Sequence, residues 1–516
     1  MIKQISLALL TLCTSIAGAQ KIEKPSLVTK TTFAIVIDET TLAKTGKAVR
    51  AYKAALEKEG LGTYLISDNW KSPDPIRTIL KKLYSQTPRL EGAVFIGDVP
   101  VPMIRDAQHL TSAFKMNQRI NWQRSSVPSD RFYDDFGLEF RFLKQDSLKT
   151  NLFYYSLSPS TQQGVNLSIY TGRIKPPAIP GKDKYQLIEE YLTKVVTEKS
   201  RPNKLDNMLV YTGQGYNSES LNSWAGEQIS LREQFPDLFR PGNTVKFMNF
   251  RMNTAIKFNL LSELRREDLD MAVLHHHGSD DQQLMNGYPY VSYPQPSIDN
   301  IRRYLRNKVQ NAEEDGAAKV QQVKAGYVKN LGVPLQWMDD ALADSVKIAD
   351  SIANSDMNIN IPDLAGRDFN ARFIMLDACL NGSFQLDDYI AGYYPFSNGK
   401  NLITIANSVG VLQDLWPDEM LGLLKFGVRA GNWFRHIANL ETHIIGDPTF
   451  HFSGKTTVDL NQAIVVEDRN AAYWQGLLKH PAADVQALAL AQLYRIKGES
   501  LSGLLKTTYF SSPFGA

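Results

Sequence analysis

The sequence predicts an α/β fold built on parallel sheets, and two observations support this prediction. Short apolar runs such as TTFAIVIDE, LEGAVFIGDVP and RFIMLDA have the length and the β-branched content of buried strands. Segments with apolar residues at helical spacing lie between several of these runs, for example DKYQLIEEYLTKVVTEKS. Strands that alternate with helices need crossover connections, and crossovers favour parallel pairing.

The composition is typical of a soluble globular protein: of 516 residues, 43% are hydrophobic and 22% are charged. The net charge of +3 is too small to favour nucleic acid or an acidic membrane surface as a partner. Beyond the N-terminus no apolar run reaches the ~18 residues that a bilayer span needs, so we expect no transmembrane segment. The sequence does not fix an oligomeric state.

Residues 1–19 have the pattern of a secretory signal peptide. Lys3 precedes an apolar stretch, and Ala17-Gly18-Ala19 supplies the small residues of a cleavage site. We therefore expect export, to the periplasm or to the extracellular surface, with a mature chain that begins near Gln20. The alternative is a buried N-terminal helix.

A first α/β subdomain is expected over residues 20–205. The strand TTFAIVIDE leads into a helix over residues 41–59, and GTYLISD forms the next strand. A helix over residues 75–85 precedes the strand LEGAVFIGDVP. Residues 134–164 are polar and predict irregular structure, after which LSIYTGRI returns to a strand pattern.

A second α/β subdomain is expected over residues 206–455, with strands at NMLVYTG, TVKFMNF, MAVLHHH, RFIMLDA and NLITIANS. A helical insertion over about residues 288–370 interrupts it and contains two helical patterns. This insertion is either a solvated decoration or a lid over the site. Residues 456–516 predict a helical, repeat-like region, which is either incomplete or docked on the main body.

Three consecutive histidines, His275 to His277, follow an apolar run and should lie at the end of a strand. Because side chains alternate along a strand, we expect His275 and His277 on one face and His276 on the other. A His-x-His pair supplies two zinc ligands, but a catalytic zinc site needs three. Asp280 also falls one place late for a binuclear metallohydrolase pattern. A metal site is therefore the less favoured alternative, and no metal ligand is assigned.

Cys379 is the only cysteine left once residues 1–19 are removed. Exported proteins usually pair their cysteines, so a lone one is a buried small hydrophobe, an intermolecular link or a nucleophile. It follows the strand FIMLDA, at the strand end where sites collect in open α/β sheets. A thiol nucleophile needs a nearby base and N–H donors for the oxyanion, and His277-Gly278 follows another strand.

Strand-His-Gly followed by strand-Asp-Ala-Cys resembles the caspase-like cysteine peptidases, and within that clan the chain looks most like the gingipain family. Several motifs match this family in order: Ile96-Gly97-Asp98, Ser129-Asp130 with Tyr133, Thr171-Gly172-Arg173-Ile174, Cys379-Leu380-Asn381-Gly382, Ile405-Ala406-Asn407-Ser408 and Ile445-Gly446-Asp447-Pro448-Thr449. The resemblance covers about residues 31–452. It implies a caspase/gingipain-like fold of two parallel-sheet α/β subdomains, with a helical insertion and a helical C-terminal extension.

The resemblance also implies roles for individual residues. Cys379 would be the nucleophile and His277 the general base and acid, and the backbone N–H groups of Gly278 and Cys379 would form the oxyanion hole. Gln214 stands where the family has an acid near the histidine, and it could orient the imidazole by a hydrogen bond. Asp377 is expected to be structural rather than catalytic.

The substrate pocket is less well defined by the resemblance. Trp416 falls near the tryptophan that the family uses beside its specificity pocket. The acid with which gingipains select arginine or lysine has no clear match between Ser218 and Glu227. Possible substitutes elsewhere in the chain are Asp280, Asp281, Asp414 and Asp418.

No cofactor is required for this chemistry. A structural calcium ion is compatible with the acidic pairs Asp134-Asp135 and Asp387-Asp388, since calcium prefers oxygen ligands. The sequence as a whole predicts an exported cysteine endopeptidase that cleaves protein or peptide substrates through a Cys-His dyad and a thioester. The alternative is a catalytically silent gingipain-like fold that serves as a binding or assembly module.

Overall fold

The computed structural model describes residues 20–113, 115–119, 121–214, 221–287, 291–412, 418–454, 456–504 and 506. The segment expected to be a signal peptide lies outside the described residues, and so do Asp414 and Trp416.

The strands are β1 (Lys21–Glu23), β2 (Thr31–Asp38), β3 (Gly62–Asp68), β4 (Arg89–Ile96), β5 (Val101–Arg105), β6 (Val127–Pro128), β7 (Phe140–Gln145), β8 (Leu152–Leu157), β9 (Tyr170–Ile174), β10 (Asn207–Thr212), β11 (Thr244–Asn249), β12 (Met271–His275), β13 (His277–Gly278), β14 (Gln282–Leu284), β15 (Ile359–Asn360), β16 (Phe373–Asp377), β17 (Ile403–Asn407) and β18 (Thr442–Gly446).

The α-helices are α1 (Glu39–Lys58), α2 (Pro73–Tyr84), α3 (Arg131–Asp134), α4 (Lys184–Lys199), α5 (Leu221–Gln234), α6 (Ile256–Leu264), α7 (Gln295–Asn311), α8 (Ala317–Leu331), α9 (Asp344–Met357), α10 (Ile361–Leu364), α11 (Ala430–Phe434), α12 (Leu460–Val466), α13 (Ala471–Leu477) and α14 (Ala483–Lys497). Short 3-10 helices cover Gln108–Leu110, Pro236–Phe239, Leu335–Met338, Ile390–Tyr393, Leu421–Phe426 and Gly498–Leu501.

An eleven-stranded mixed sheet forms the centre of the fold, in the order β1-β3-β2-β4-β9-β18-β17-β16-β12-β10-β11. Strands β3, β2, β4 and β9 are parallel to one another, and so are β17, β16, β12, β10 and β11. The two sets run in opposite directions, because β18 pairs parallel with β9 and antiparallel with β17. The sequence predicted two parallel sheets side by side, whereas the structure joins them through β18 into one sheet.

Alternating side chains of the strands fill cores on both faces of this sheet. Phe33, Ile35 and Ile37 of β2 enter a core that extends along both halves of the sheet, while Ala34 and Val36 point to the other face. The C-terminal helices α12 to α14 pack in the first of these cores, where Trp474 of α13 is fully buried. They are therefore docked on the main body.

The segment 134–164, expected to be irregular, contains two strands of a second sheet with the order β6-β5-β8-β7. Strand β8 (LFYYSL) is buried along its whole length, whereas β7 (FRFLKQ) is largely exposed. The apolar run of β8 is short and has polar segments on both sides, which hid it in the sequence.

The helical insertion begins and ends at a small sheet. Strand β14 pairs with β13 on one side and with β15 on the other, and α7, α8 and α9 lie between β14 and β15 in the chain. Two helical patterns were expected, and α8 is the additional helix. Its apolar residues are mostly not buried, which explains why no amphipathic pattern marked it.

Candidate active site

The site lies where two neighbouring parallel strands end. Strands β12 and β16 pair with His275 opposite Asp377, the last residue of each strand. The residues next to these in the chain are His276 to Gly278 on one side and Ala378 and Cys379 on the other. Parallel pairing thus brings the histidine run and the cysteine to the same edge of the sheet, as the strand pattern predicts.

His275 is held between two carboxylates. Its Nδ1 lies 2.9 Å from Oδ2 of Asp377, and its Nε2 lies 2.6 Å from Oε1 of Glu227 on α5. Period-2 alternation puts His275 and Asp377 on the face that α5 covers, with Met271 and Phe373 before them on the same face. Glu227, His275 and Asp377 are called the imidazole–carboxylate cluster below.

The charge state of this cluster follows from its contacts. Burial alone would lower the pKa of His275, but the charge of Glu227 and the hydrogen bond with Asp377 outweigh it and raise the pKa well above its ordinary value. Asp418 lies close by, and burial raises the pKa of its carboxyl group. His275 is therefore an imidazolium at neutral pH, with both ring nitrogens engaged.

His276 is fully buried on the other side of the chain. Its Nδ1 donates to the carbonyl oxygen of His277 over 2.8 Å, and the side-chain amide of Gln283 lies 3.4 Å from its Nε2. Burial lowers its pKa to about 4, so the ring is neutral. Gln283 in turn accepts a hydrogen bond from the hydroxyl of Tyr394 over 2.6 Å. His276 is thus a core residue.

His277 is exposed, unlike its two neighbours. Strand β12 ends at His275, and the chain enters the separate strand β13 at His277, so the expected alternation of the three rings does not continue. Among the described residues the ring of His277 makes no hydrogen bond. Its imidazole is therefore exposed to solvent.

Gly278 packs against the segment that carries the cysteine. A Cβ atom on Gly278 would lie 2.7 Å from the carbonyl oxygen of Cys379 and 2.5 Å from Nδ2 of Asn381, so a side chain has no room here. The Asn381 amide donates to the carbonyl oxygens of Ser279 and Gln282 over 2.6 and 3.0 Å. Asn381 therefore ties the segment after Cys379 to the hairpin that carries His277.

Cys379 is half-buried and its thiol faces Val411. The Val411 N–H donates to Sγ over 3.2 Å, and the thiol donates to the Val411 carbonyl oxygen over 3.4 Å. Within the described part of the chain no hydrogen bond joins Sγ to His277. Burial raises the thiol pKa, and the charge of Asp377 adds to the rise. A nucleophilic thiol activated by a neighbouring imidazolium would instead have a lowered pKa.

The backbone at Cys379 is arranged as a tight turn. Leu380 adopts a left-handed conformation with φ of 60°, which is uncommon for a residue with a branched side chain. Its N–H donates to the carbonyl oxygen of Val409 over 3.0 Å. The N–H of Cys379 donates to no other described residue.

The other candidate residues make contacts of different kinds. Gln214 follows β10 and is half-buried, and no hydrogen bond within the described residues joins it to His277. Asp281 accepts from the Ser279 hydroxyl over 2.7 Å, and Asp280 lies beside it in the turn between β13 and β14. Asp418 is buried and accepts from the Ser230 hydroxyl on α5 over 2.7 Å. None of these contacts tests a role in a substrate pocket.

Glu227 is the site residue that the sequence analysis missed. It was the last residue of the window in which no matching acid was recognised, and the structure buries its carboxylate against His275. The partners are far apart in the chain, so local sequence carries no sign of the contact. A charged residue on a helix is usually solvent-facing, and only the fold shows the exception.

The acidic pairs proposed for calcium differ from each other. Asp134 is buried in an ion pair with Arg131 at 2.8 Å, and Asp135 accepts from Gln162 and from the backbone N–H of Asn166. Asp387 is exposed. In the part of the chain that the structure describes, no group of three or more His, Cys, Asp and Glu side chains is arranged to hold a metal ion. A structural calcium ion stays a prediction.

No protein-family model matches the sequence, and no curated protein matches it significantly. Among the described helices, none has the length and apolar character needed to cross a membrane.

Proposed function

We propose that the chain is an exported cysteine endopeptidase of gingipain-like type, in which Cys379 and His277 act on peptide bonds. The observation that supports this proposal best is the meeting of two strand ends, with Gly278 packed against the carbonyl group of Cys379. A thiol, an exposed imidazole and a backbone N–H that donates to no other described residue are then grouped at one edge of the sheet. The motif order of the gingipain family supports the same proposal.

The states of the three histidines favour His277 as the base. Both ring nitrogens of His275 are bonded to carboxylates, so this ring cannot accept a proton from the thiol. His276 is buried, and both of its ring nitrogens face protein groups. Only His277 has an exposed ring, which can rotate towards a substrate held at Cys379.

In the proposed reaction His277 takes the proton of the Cys379 thiol as Sγ attacks the carbonyl carbon of the scissile bond. The N–H groups of Gly278 and Cys379 donate to the oxyanion that forms. His277 then gives its proton to the leaving amine as the C–N bond breaks, which leaves a thioester. Water, deprotonated by His277, hydrolyses the thioester and restores the thiol.

One observation favours the alternative of a silent binding or assembly module. The thiol is bonded to Val411 and has a raised pKa, so the resting protein holds a neutral thiol that is not paired with imidazole. For the chain to be active, its thiol must therefore turn away from Val411 when substrate binds. Catalytic hydrogen bonds often tighten only in the substrate complex.

The deciding experiment is digestion of a positional-scanning peptide library by the mature protein, with Cys379→Ala as the blank. We expect cleavage that iodoacetamide abolishes in step with the incorporation of one label, and that chelators leave unchanged. Loss of activity with chelators and not with iodoacetamide would favour a metallohydrolase. A folded protein that cleaves no peptide would favour the silent module.

Export needs a separate measurement. We expect the secreted or periplasmic protein to begin near Gln20, which N-terminal sequencing of the protein from its native cells determines. Recovery of the whole chain from the cytoplasm would contradict export, but it would not contradict the proposed peptidase activity.

A further inference from the structure

The segment that follows β17, residues 408–412, lies directly on the Cys379 thiol. The N–H of Val411 donates to Sγ over 3.2 Å, and the thiol donates to the Val411 carbonyl oxygen over 3.4 Å. The N–H of Leu380, next to the cysteine, donates to the carbonyl oxygen of Val409 over 3.0 Å. The thiol thus has a donor and an acceptor in the backbone of one residue, and both contacts must break before Sγ attacks a substrate.

A second segment holds Val411 in this position. Residues 112 and 113 lie between β5 and β6 in the chain, far from Val411 in sequence. Ala113 forms an antiparallel bridge with Val411, and the N–H of Leu412 donates to the carbonyl oxygen of Ser112 over 2.8 Å. The backbone that contacts the thiol is therefore positioned by the 112–113 segment.

Glu441 holds both segments. Its carboxylate accepts from the backbone N–H and from the hydroxyl of Ser112, each over 2.9 Å, and its carbonyl oxygen accepts from the N–H of Ser408 over 2.9 Å. Glu441 is fully buried and immediately precedes β18, the strand that joins the two halves of the central sheet. Burial raises the pKa of its carboxyl group, and the two donors of Ser112 oppose the rise. Because these donors compensate a buried oxygen, the loss of either one is costly.

We propose that Ser112 and Glu441 are positioning residues that keep Cys379 unreactive until the 112–113 segment moves. While Ser112 is bonded to Glu441, Val411 stays on the thiol and holds Sγ away from a substrate carbonyl carbon. When these bonds break, Val411 separates from the thiol, which can then turn. The consequence for catalysis rests on the proposed function, whereas the reactivity of the thiol does not.

The contacts of the cysteine segment with the hairpin do not involve Ser112 or Glu441. The side-chain amide of Asn381 donates to two carbonyl oxygens of the hairpin segment, and the carbonyl oxygen of Cys379 packs against Gly278. Release of Val411 therefore leaves the cysteine backbone beside the hairpin that carries His277. Only the surroundings of the thiol change.

The test is the rate at which iodoacetamide alkylates Cys379 in the folded full chain, measured by mass spectrometry of the peptide that contains it. We expect slower labelling of the folded parent than of the urea-unfolded parent at the same pH. Ser112→Ala removes one of the two donors to Glu441 and should raise the native rate about tenfold, because the thiol is released more often. Ser112→Thr keeps a hydroxyl group and should be labelled at the parent rate.

Thr31→Val is the matched control for a general loss of stability. The Thr31 hydroxyl donates to the buried carboxylate of Glu91 over 2.6 Å, a contact that has no part in holding Val411. We expect Thr31→Val to lower the thermal midpoint and to leave the labelling rate of Cys379 unchanged. The proposal is overturned if Ser112→Ala is labelled at the parent rate, or if Ser112→Ala and Thr31→Val raise the rate equally. Labelling of the folded parent as fast as the unfolded chain would also overturn it.

Peptide cleavage by the same proteins separates this positioning role from the proposed function. If both are correct, Ser112→Ala should raise kcat/KM by about the factor by which it raises the labelling rate, since a larger fraction of the protein is competent. Faster labelling of Ser112→Ala without cleavage by any of the proteins would support the positioning role and contradict the peptidase. Cleavage by the parent, with equal labelling of the parent and Ser112→Ala, would support the peptidase and overturn the positioning role.

Discussion

His275 and His277 are separated by a single residue, yet the fold treats them in opposite ways. His275 ends a strand of the central sheet, is buried, and has both ring nitrogens bonded to carboxylates. His277 belongs to a short hairpin outside that sheet and has an exposed ring. The strand end therefore fixes a buried charge pair, whereas the hairpin leaves the His277 ring exposed.

Cys379 stands between these two regions and shares features of both. It lies two residues after Asp377 of the imidazole–carboxylate cluster, and its carbonyl oxygen packs against Gly278 of the hairpin. Burial raises the pKa of its thiol, and the charge of Asp377 adds to the rise. In the proposed reaction the buried cluster would hold the backbone beside Cys379 in place while Cys379 and His277 act on the substrate. The four predictions that follow test this division of roles.

The largest expected effect is on activity, from the exposed histidine. His277→Ala should lower kcat/KM by about 10³-fold, the scale of general acid–base catalysis, with little change in the thermal midpoint. Peptide cleavage and thermal melting of the same preparation measure the two quantities. His109→Ala, at another exposed histidine, is the control. Cleavage at the parent rate by the His277→Ala protein would show that His277 is not the general base.

The next effect is on stability, from the buried cluster. Glu227→Gln leaves the His275 imidazolium with one carboxylate fewer, and breaking a buried ion pair in this way costs about 3 kcal/mol or more of unfolding free energy. Urea denaturation measures the loss. Glu233→Gln on the same helix is the matched control, because Glu233 is exposed and makes no ion pair among the described residues. Equal stability of the two variants would show that the cluster does not hold α5 in place.

The contrast between these regions also marks what the sequence could and could not predict. Strands such as β2, β4 and β16 follow from apolar runs, because a buried strand needs nothing beyond its own side chains to be recognised. The positions of Cys379 and His277 after strands follow in the same way. The contact of Glu227 with His275 does not, since it depends on how α5 packs over the sheet.

The missed elements have a similar cause. Strand β18 (THIIG) joins the two halves of the central sheet and is only five residues long. The sequence analysis included part of it as a motif but did not predict it as a strand. Helix α8 buries only Val320 fully, so its pattern lacks the periodicity of a core-facing helix. Pairing of distant segments and burial of unusual residues are properties of the fold, and a local pattern does not contain them.

The third prediction concerns the contact between the hairpin and the cysteine segment. Gly278→Ala should cost about 2 kcal/mol of unfolding free energy, because its Cβ would press on the carbonyl oxygen of Cys379, a backbone atom that cannot rotate away. It should also lower cleavage by displacing the oxyanion donors. Gly164→Ala is the control, since nothing lies near its added Cβ. If both variants melt and cleave alike, the close approach at Gly278 does not contribute to the free energy of unfolding or to cleavage.

The smallest expected effect is a pH dependence of stability that the cluster causes. The pKa of His275 is raised well above that of an unfolded histidine, so the folded protein holds this proton more tightly. Its contribution is therefore fully present below about pH 6.5 and is lost as pH rises through the folded pKa. Glu227, Asp377 and Asp418 are the charged groups that face the ring. His275→Gln keeps a polar side chain but cannot titrate, so the gap in urea midpoint between wild type and this variant should shrink as pH rises above about 6.5 and passes through the folded pKa. His109→Gln, at an exposed histidine, is the control. A gap that stays constant with pH would mean that His275 is not the proton-binding centre of the cluster. A neutral ring donates to one carboxylate only, so the other carboxyl group would then carry the proton and donate to the ring.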